Sequence, residues 1–191
     1  MKTKKVLFVT SNQNKIDEAK RCLGSLGIDV SPIEDSQIID NLYEIQNNNP
    51  EEVMLSKLKQ ISNAISEPVI VDDFSFSING FNGFPGPYTK YVVGTLGLSE
   101  ICNLANSKSA TMTSYIGFFD GQNDFRVFKG TLSGKIVKEF DTSSIVNDKA
   151  QLNSIFIPDG FDKTADKLND DPSFSNHRSL ALKELFNYLQ K

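Results

Sequence analysis

The run PVIVDD, residues 68–73, sets three aliphatic side chains side by side and follows them with two carboxylates. A strand with one wet face alternates apolar and polar residues, so a run without alternation reads as a strand covered on both faces. In a chain of this length, helices laid against a sheet meet that requirement, which favours an α/β arrangement. Asp72 and Asp73 then stand at the exit of a buried strand, near the sheet edge where α/β proteins tend to hold ligands.

The flanking sequence supports such a sheet. KVLFVT (residues 5–10) is a short β-rich run, and residues 14–26 repeat apolar side chains at helical spacing through Ile16, Ala19, Cys22 or Leu23, and Leu26. Gly27 stops that helix, and GIDVSPIED follows as a second strand with Ile28, Val30 and Ile33 beside an interrupting Pro32. A β-α-β opening makes part of the sheet parallel. A further helix enters at Pro50 with Glu51 and Glu52 in its first turn, and its apolar face holds Val53, Leu55 or Leu58, Ile61 and Ile65. Beyond the loop GFNGFPGPY come a short helix, LSEICNLANS, and two strands, ATMTSYIGFFD and FRVFKGTLSGKIV, joined by a turn at DGQND. The strand SIFIPDG and the amphipathic helix RSLALKELFNYLQ, with Leu180, Leu182, Leu185, Phe186 and Leu189, complete the pattern.

The 191 residues suffice for one domain with a good core. A net charge of −4 argues against a general nucleic-acid binder, although clustered lysines can still grip a small polyanion. Cys22 and Cys102 lie far apart in sequence without metal-ligand or redox spacing, and read as thiols of a reducing compartment. The apolar run near the start is too short for a secretory leader or a membrane span, so the expectation is a cytoplasmic protein.

Several residues bear chemistry. TSNQNK (residues 10–15) is a strand-to-helix turn, which presents backbone N–H groups to an anion; Ser11 and Asn12 add donors and Lys15 a charge. Taken alone, the same pattern is a plain helix cap. Strand side chains alternate, so Asp72 and Asp73 must point in opposite directions, one toward a metal or a water and the other in support or away. Glu44, a lone acid in NLYEIQ, can complete an oxygen-ligand set for Mg²⁺, which takes one or two carboxylates. His177 is the single histidine and is followed by Arg178.

Together these segments resemble the inosine triphosphate pyrophosphatase family, which hydrolyses deaminated purine nucleoside triphosphates to monophosphate and pyrophosphate. FVTSNQNKIDEAK is similar to its phosphate-binding opening, EIQ to its metal-binding acid, and SKLKQ to the helix with a substrate lysine. PVIVDDFSFSINGFNGFPGPYTK is similar to its most diagnostic segment, and LSGKIV and NHRSLAL to its late strand and closing helix. The resemblance spans the chain, residues 1–191, as a single domain. It implies an elongated mixed β-sheet flanked by helices, with two lobes around a central cleft, and a homodimer. It implies that Thr10, Ser11, Asn12, Lys15, Lys57 and Lys90 bind the triphosphate. Glu44 and Asp73 would bind Mg²⁺, Asp73 or Asp72 would orient the attacking water, and His177 and Arg178 would lie on the purine edge. That division of labour suits phosphoryl transfer, which depends on charge and positioning.

The sequence also departs from the family. Phe74 replaces a hydroxyl residue after the second carboxylate. The aromatic run that builds the base pocket is replaced by AQLNS, residues 150–154, with Ala150 and Leu152 for the aromatics and Asn153 for the acid. Pro172, Ser173 and Asn176 stand in the segment where the family has Lys-Asn before Ser-His-Arg, and the loop before His177 is one residue shorter. Phe74, Phe81, Phe84 and Phe174 are candidates for a replacement ring. A retained phosphate end with a rebuilt base end implies an altered base preference. Two other readings follow from the same departures: a catalytically weak nucleotide sensor or partner subunit, and a pyrophosphatase for pyrimidine nucleotides.

Overall fold

The structure, a computed structural model, describes residues 5–139 and 152–191. The described strands form one mixed sheet: β1 (Lys5–Phe8), β2 (Asp29–Pro32), β3 (Val69–Ile78), β4 (Pro85–Gly86), β5 (Ser109–Phe119), β6 (Phe125–Ile136) and β7 (Phe156–Pro158). Their order is β2-β1-β3-β5-β6-β7, with β4 paired to β3 off that path. β1 runs parallel to both β2 and β3, whereas β4 is antiparallel to β3 and β7 to β6. The α-helices are α1 (Gln13–Gly24), α2 (Ser36–Asp40), α3 (Pro50–Ser62), α4 (Thr89–Ala105) and α5 (His177–Leu189). The expected α/β class and mixed sheet are therefore present. No helix among the described residues is long and apolar enough to cross a membrane.

The chain divides into two compact units. One takes in the described residues up to Asp73 together with Ser114–Gly130 and His177–Lys191; the other takes in Phe74–Thr113 and the described part of Thr131–Asn176.

In the first unit, alternation along β3 sorts its side chains between two cores. Ile70 joins Ile16, Ala19 and Leu23 of α1 and Ala181, Leu182 and Leu185 of α5. Val69 and Val71 join Met54, Leu58 and Ile61 of α3. This is the coverage on both faces that three unbroken aliphatics require. The helical faces come out as Leu23 rather than Cys22 on α1, and Leu58 with Met54 on α3, Leu55 being only half-buried. α1 begins at Asn12, whose side chain accepts from the amides of Asn14 and Lys15, and α3 begins at Asn49 with Pro50 in its first turn. α5 packs so closely on β6 that a Cβ at Gly130 would overlap the His177 carbonyl oxygen and the Ala181 amide. Only glycine lets the helix approach there, and the approach fixes the height of His177 and Arg178.

The second unit is built on Phe76 and Ile78 of β3, Leu98, Ile101, Cys102 and Ala105 of α4, and Phe156 of β7, with Phe76 and Phe156 edge to face at 6.2 Å. Two elements depart from expectation. β3 does not stop at the carboxylates but continues through FSFSI, because Phe76 and Ile78 find a core of their own. α4 starts at Thr89, well before LSEICNLANS, and breaks at Gly97 (φ 75°, ψ 164°). Thr89 anchors the earlier half: its hydroxyl donates to the Gly86 carbonyl at 2.6 Å and accepts from the Phe76 amide at 2.8 Å.

Candidate active site

The chemistry-bearing residues of the first unit gather around the middle of β3, where Asp72 and Asp73 follow Val71. Parity decides their partners. Asp72 shares the face of Ile70 and meets α1 and α5, while Asp73 shares the face of Val71 and meets α3.

Asp72 is buried, and its Oδ2 receives both the Lys15 ammonium at 2.9 Å and the Arg178 Nε at 2.8 Å. The Lys15 ammonium also donates to the Asp72 carbonyl at 3.2 Å. Burial would raise the Asp72 pKa, but Lys15 and Arg178 outweigh it and hold the carboxyl below its ordinary value. The other oxygen, Oδ1, is buried with no hydrogen-bond partner. A buried acceptor in that state costs about 1–3 kcal/mol, so it marks a place for a donor. Arg178 is held from a second side by Glu18, Nη1 to Oε2 at 2.5 Å. Two cations and two anions make this cluster neutral.

On the opposite face the Lys57 ammonium lies 2.7 Å from Glu44 Oε2 and 2.9 Å from Asp73 Oδ2. Burial pulls the Lys57 pKa down, but Asp73 and Glu44 together raise it, so the ammonium stays charged. One cation between two carboxylates leaves this cluster with an excess negative charge. Its two oxygens already converge on a single positive atom, which is the donor set a hard divalent cation needs when phosphate and water supply the rest. Among the described residues no group of three or more His, Cys, Asp or Glu side chains stands ready for a metal, so any ion here would depend on such outside ligands.

Glu44 sits in the irregular stretch between α2 and α3. The neighbouring Tyr43 is clamped by the side-chain amide of Gln60: the Tyr43 amide donates to Gln60 Oε1 at 3.1 Å, and Gln60 Nε2 donates to the Tyr43 carbonyl at 2.9 Å.

Of the remaining residues singled out from sequence, Thr10 and Asn12 work on their own turn. Thr10 Oγ1 accepts from the Asn12 amide at 3.1 Å, and Asn12 Oδ1 caps α1 at 3.0 Å from the Asn14 amide. Ser11 is exposed beside them. His177 is buried, with Nδ1 2.7 Å from the Ser114 hydroxyl, and burial lowers its pKa to about 3, so the ring is neutral. Lys90 is exposed in the first turn of α4, and Asn153 is half-buried in the 3-10 turn Leu152–Ile155; both belong to the second unit. Phe74, Phe81, Phe174 and Leu152 pack against the core of that unit, whereas Phe84 is half exposed; Ala150 lies outside the described residues.

Sequence reasoning missed Glu18, Gln60 and Ser114. Glu18 and Gln60 each follow a key lysine by three positions, Lys15 and Lys57, and so share its helix face. That spacing was a usable signal. Ser114 gives none.

A sequence profile described as the Ham1 family matches residues 6–188. The dITP/XTP pyrophosphatase of Thermococcus kodakarensis is 32% identical over 191 residues, covering 98% of both chains. The inosine triphosphate pyrophosphatase of Kluyveromyces lactis is 31% identical, covering 96% of this chain and 95% of its own. In fold, the Ham1 protein of Staphylococcus aureus superposes with a TM-score of 0.70 at 23% identity over 98% of both chains.

Proposed function

The chain belongs to the Ham1 family, and on that premise we propose that it hydrolyses deaminated or otherwise modified purine nucleoside triphosphates, ribo or deoxyribo, to the monophosphate and pyrophosphate. The observation that carries this reading is the ammonium of Lys57 bridging Glu44 and Asp73, back to back with the Lys15–Asp72–Arg178 cluster. Glu44 and Asp73 would hold magnesium, which when bound supplies positive charge to the phosphate oxygens.

The residues of the chain do the rest. Lys15 and Lys57 neutralise the polyphosphate, each already poised beside a carboxylate. Asp73, whose side chain is 28% exposed, or the enclosed Asp72 with its unpartnered Oδ1 would orient a water toward the α-phosphorus. As the new P–O bond forms, the bond from the α-phosphorus to the bridging oxygen breaks, pyrophosphate leaves with that oxygen, and the proton of the water passes to solvent. The lowered pKa of Asp72 suits holding the water rather than keeping its proton. Arg178, fixed by two carboxylates, donates to a keto oxygen of the base. Asn153 in place of an acid brings a donor as well as acceptors, which supports an altered base preference. The role of Lys90 at the triphosphate and a homodimer rest on the family resemblance alone, and a cytoplasmic location rests on the short apolar run near the start and the spacing of Cys22 and Cys102.

The test is pyrophosphate release from ITP, XTP, dITP, GTP, ATP and UTP, with magnesium and with a chelator. Turnover of the deaminated purines that disappears with chelator and in Asp73→Asn is the expected result. Preference for UTP would shift the assignment to pyrimidines, and tight nucleotide binding without release from any substrate would replace the enzyme by a sensor.

A further inference from the structure

Gln60 and Lys57 lie one turn apart on α3, and both reach the segment that carries Glu44. The Gln60 amide pairs with the Tyr43 backbone at 3.1 and 2.9 Å, donor to acceptor in both directions, as a neighbouring strand would. Its Nε2 also reaches back to the Ser56 carbonyl at 3.3 Å, which limits its rotation. Tyr43 is 66% exposed, so burial does little to hold it. Glu44 is the next residue. Its side chain, 47% exposed, directs the carboxylate at Lys57, whose side chain is only 13% exposed. α3 is rigid here because Val53, Met54, Leu58 and Ile61 are buried around these two polar positions.

We propose that α3 presets the cation site before any ligand arrives, with Gln60 as the positioning residue that fixes Glu44 and Lys57 as the resident cation that a divalent ion must replace. The proposal rests on the function given above. The physical reason is geometric and electrostatic. A divalent ion bound to the same two oxygens would occupy the place of the ammonium, and the two cations repel. Displaced alone, the sheltered ammonium loses both its anions. Displaced in the presence of a triphosphate, it gains phosphate oxygens in exchange. Free divalent ion is therefore rejected, and metal and nucleotide enter together. Without Gln60, the Tyr43 backbone loses both of these hydrogen bonds and the Glu44 carboxylate loses its register with Asp73.

Mn²⁺ counted by electron paramagnetic resonance tests this, with and without a non-hydrolysable inosine triphosphate analogue. Wild-type protein is expected to bind Mn²⁺ at least tenfold more weakly without the analogue than with it. Lys57→Met should bind Mn²⁺ alone at least tenfold more tightly than wild type, and adding Glu44→Gln to that variant should remove the gain. Gln60→Met should weaken Mn²⁺ uptake in the analogue complex at least tenfold while metal-free analogue affinity changes less than twofold. Opposite signs from two neighbours on one helix are not what general destabilisation produces. Lys57→Gln and Gln60→Asn serve if the first variants fail to fold. Equal Mn²⁺ affinity in wild type and Lys57→Met, or an unchanged value in Gln60→Met, overturns the proposal. Pyrophosphate release, scored separately, distinguishes the two failures: turnover without the Mn²⁺ pattern removes this inference alone, and the pattern without turnover removes the enzymatic reading alone.

Discussion

Asp72 and Asp73 are consecutive on β3, yet each meets a different lysine at 2.9 Å, Lys15 of α1 for the first and Lys57 of α3 for the second. Their environments differ as much as their directions. Asp72 is fully enclosed at the side chain and serves two cations through one oxygen, whereas the Asp73 side chain is 28% exposed.

Neutralising each acid should therefore have unlike effects. Asp72→Asn leaves Lys15 and Arg178 facing an amide in a buried site, a loss of about 3–5 kcal/mol by analogy with broken buried pairs. Asp73→Asn removes a partly solvated pair worth about 0–1 kcal/mol, while pyrophosphate release should fall on the order of a hundredfold or more. Urea unfolding and turnover measured on both variants check the contrast, and equal stability losses would contradict it.

Acid should weaken the fold through His177. Its pKa falls from 6.5 to about 3 on folding, because burial disfavours the imidazolium. Below pH 6.5 the unfolded chain takes up a proton that the folded chain refuses, so stability is whole above that pH. It is lost as pH falls toward about 3, by up to about 1.4 kcal/mol per pH unit. Asp72 adds a second loss below 3.8, since its folded pKa lies under that value. As the only histidine, His177 gives an unambiguous NMR titration: its ring signals should stay at their neutral positions at pH 5, and a midpoint near 6.5 would refute the assignment.

Gly130→Ala should lift α5 from β6, because the new methyl overlaps backbone atoms of His177 and Ala181. Overpacking of this kind costs about 1–3 kcal/mol, and Arg178 moves with the helix. Thermal unfolding should drop together with turnover, and a variant stable and active at wild-type level would mean the helix can shift freely.

Glu18→Gln keeps the shape of the Arg178 contact and removes its charge. A charged hydrogen bond becomes a neutral one, a cost of about 1 kcal/mol. With Asp72 as the one remaining anion of the two that hold Arg178, KM for the preferred nucleotide should rise more than kcat falls. Steady-state kinetics on matched substrates decide it, and an effect confined to kcat would place Glu18 elsewhere in the reaction.

Much of this was legible in the sequence for stated physical reasons. Three unbroken aliphatics in VIV announced a strand covered twice, and a period of two guaranteed that Asp72 and Asp73 would diverge. TSNQNK fits both an anion-binding turn and a cap, and the hydrogen bonds of Thr10 and Asn12 show the cap. The continuation of β3 was visible in the alternation of FSFSI but was masked by the glycines that follow. The first half of α4 was hidden because TKYVVG is rich in β-branched residues, and tertiary anchoring by Thr89 overrides that preference. Charge pairing was the least legible layer, since nothing local tells Glu18 that its partner lies at position 178.

That long reach has a consequence for biosynthesis. Glu18 and Asp72 leave the ribosome well before Arg178, so the nascent chain holds two acids whose shared counterion has not yet been translated. The first unit cannot settle into its final electrostatic state until α5 emerges, and nucleotide hydrolysis should switch on late in synthesis rather than growing with chain length.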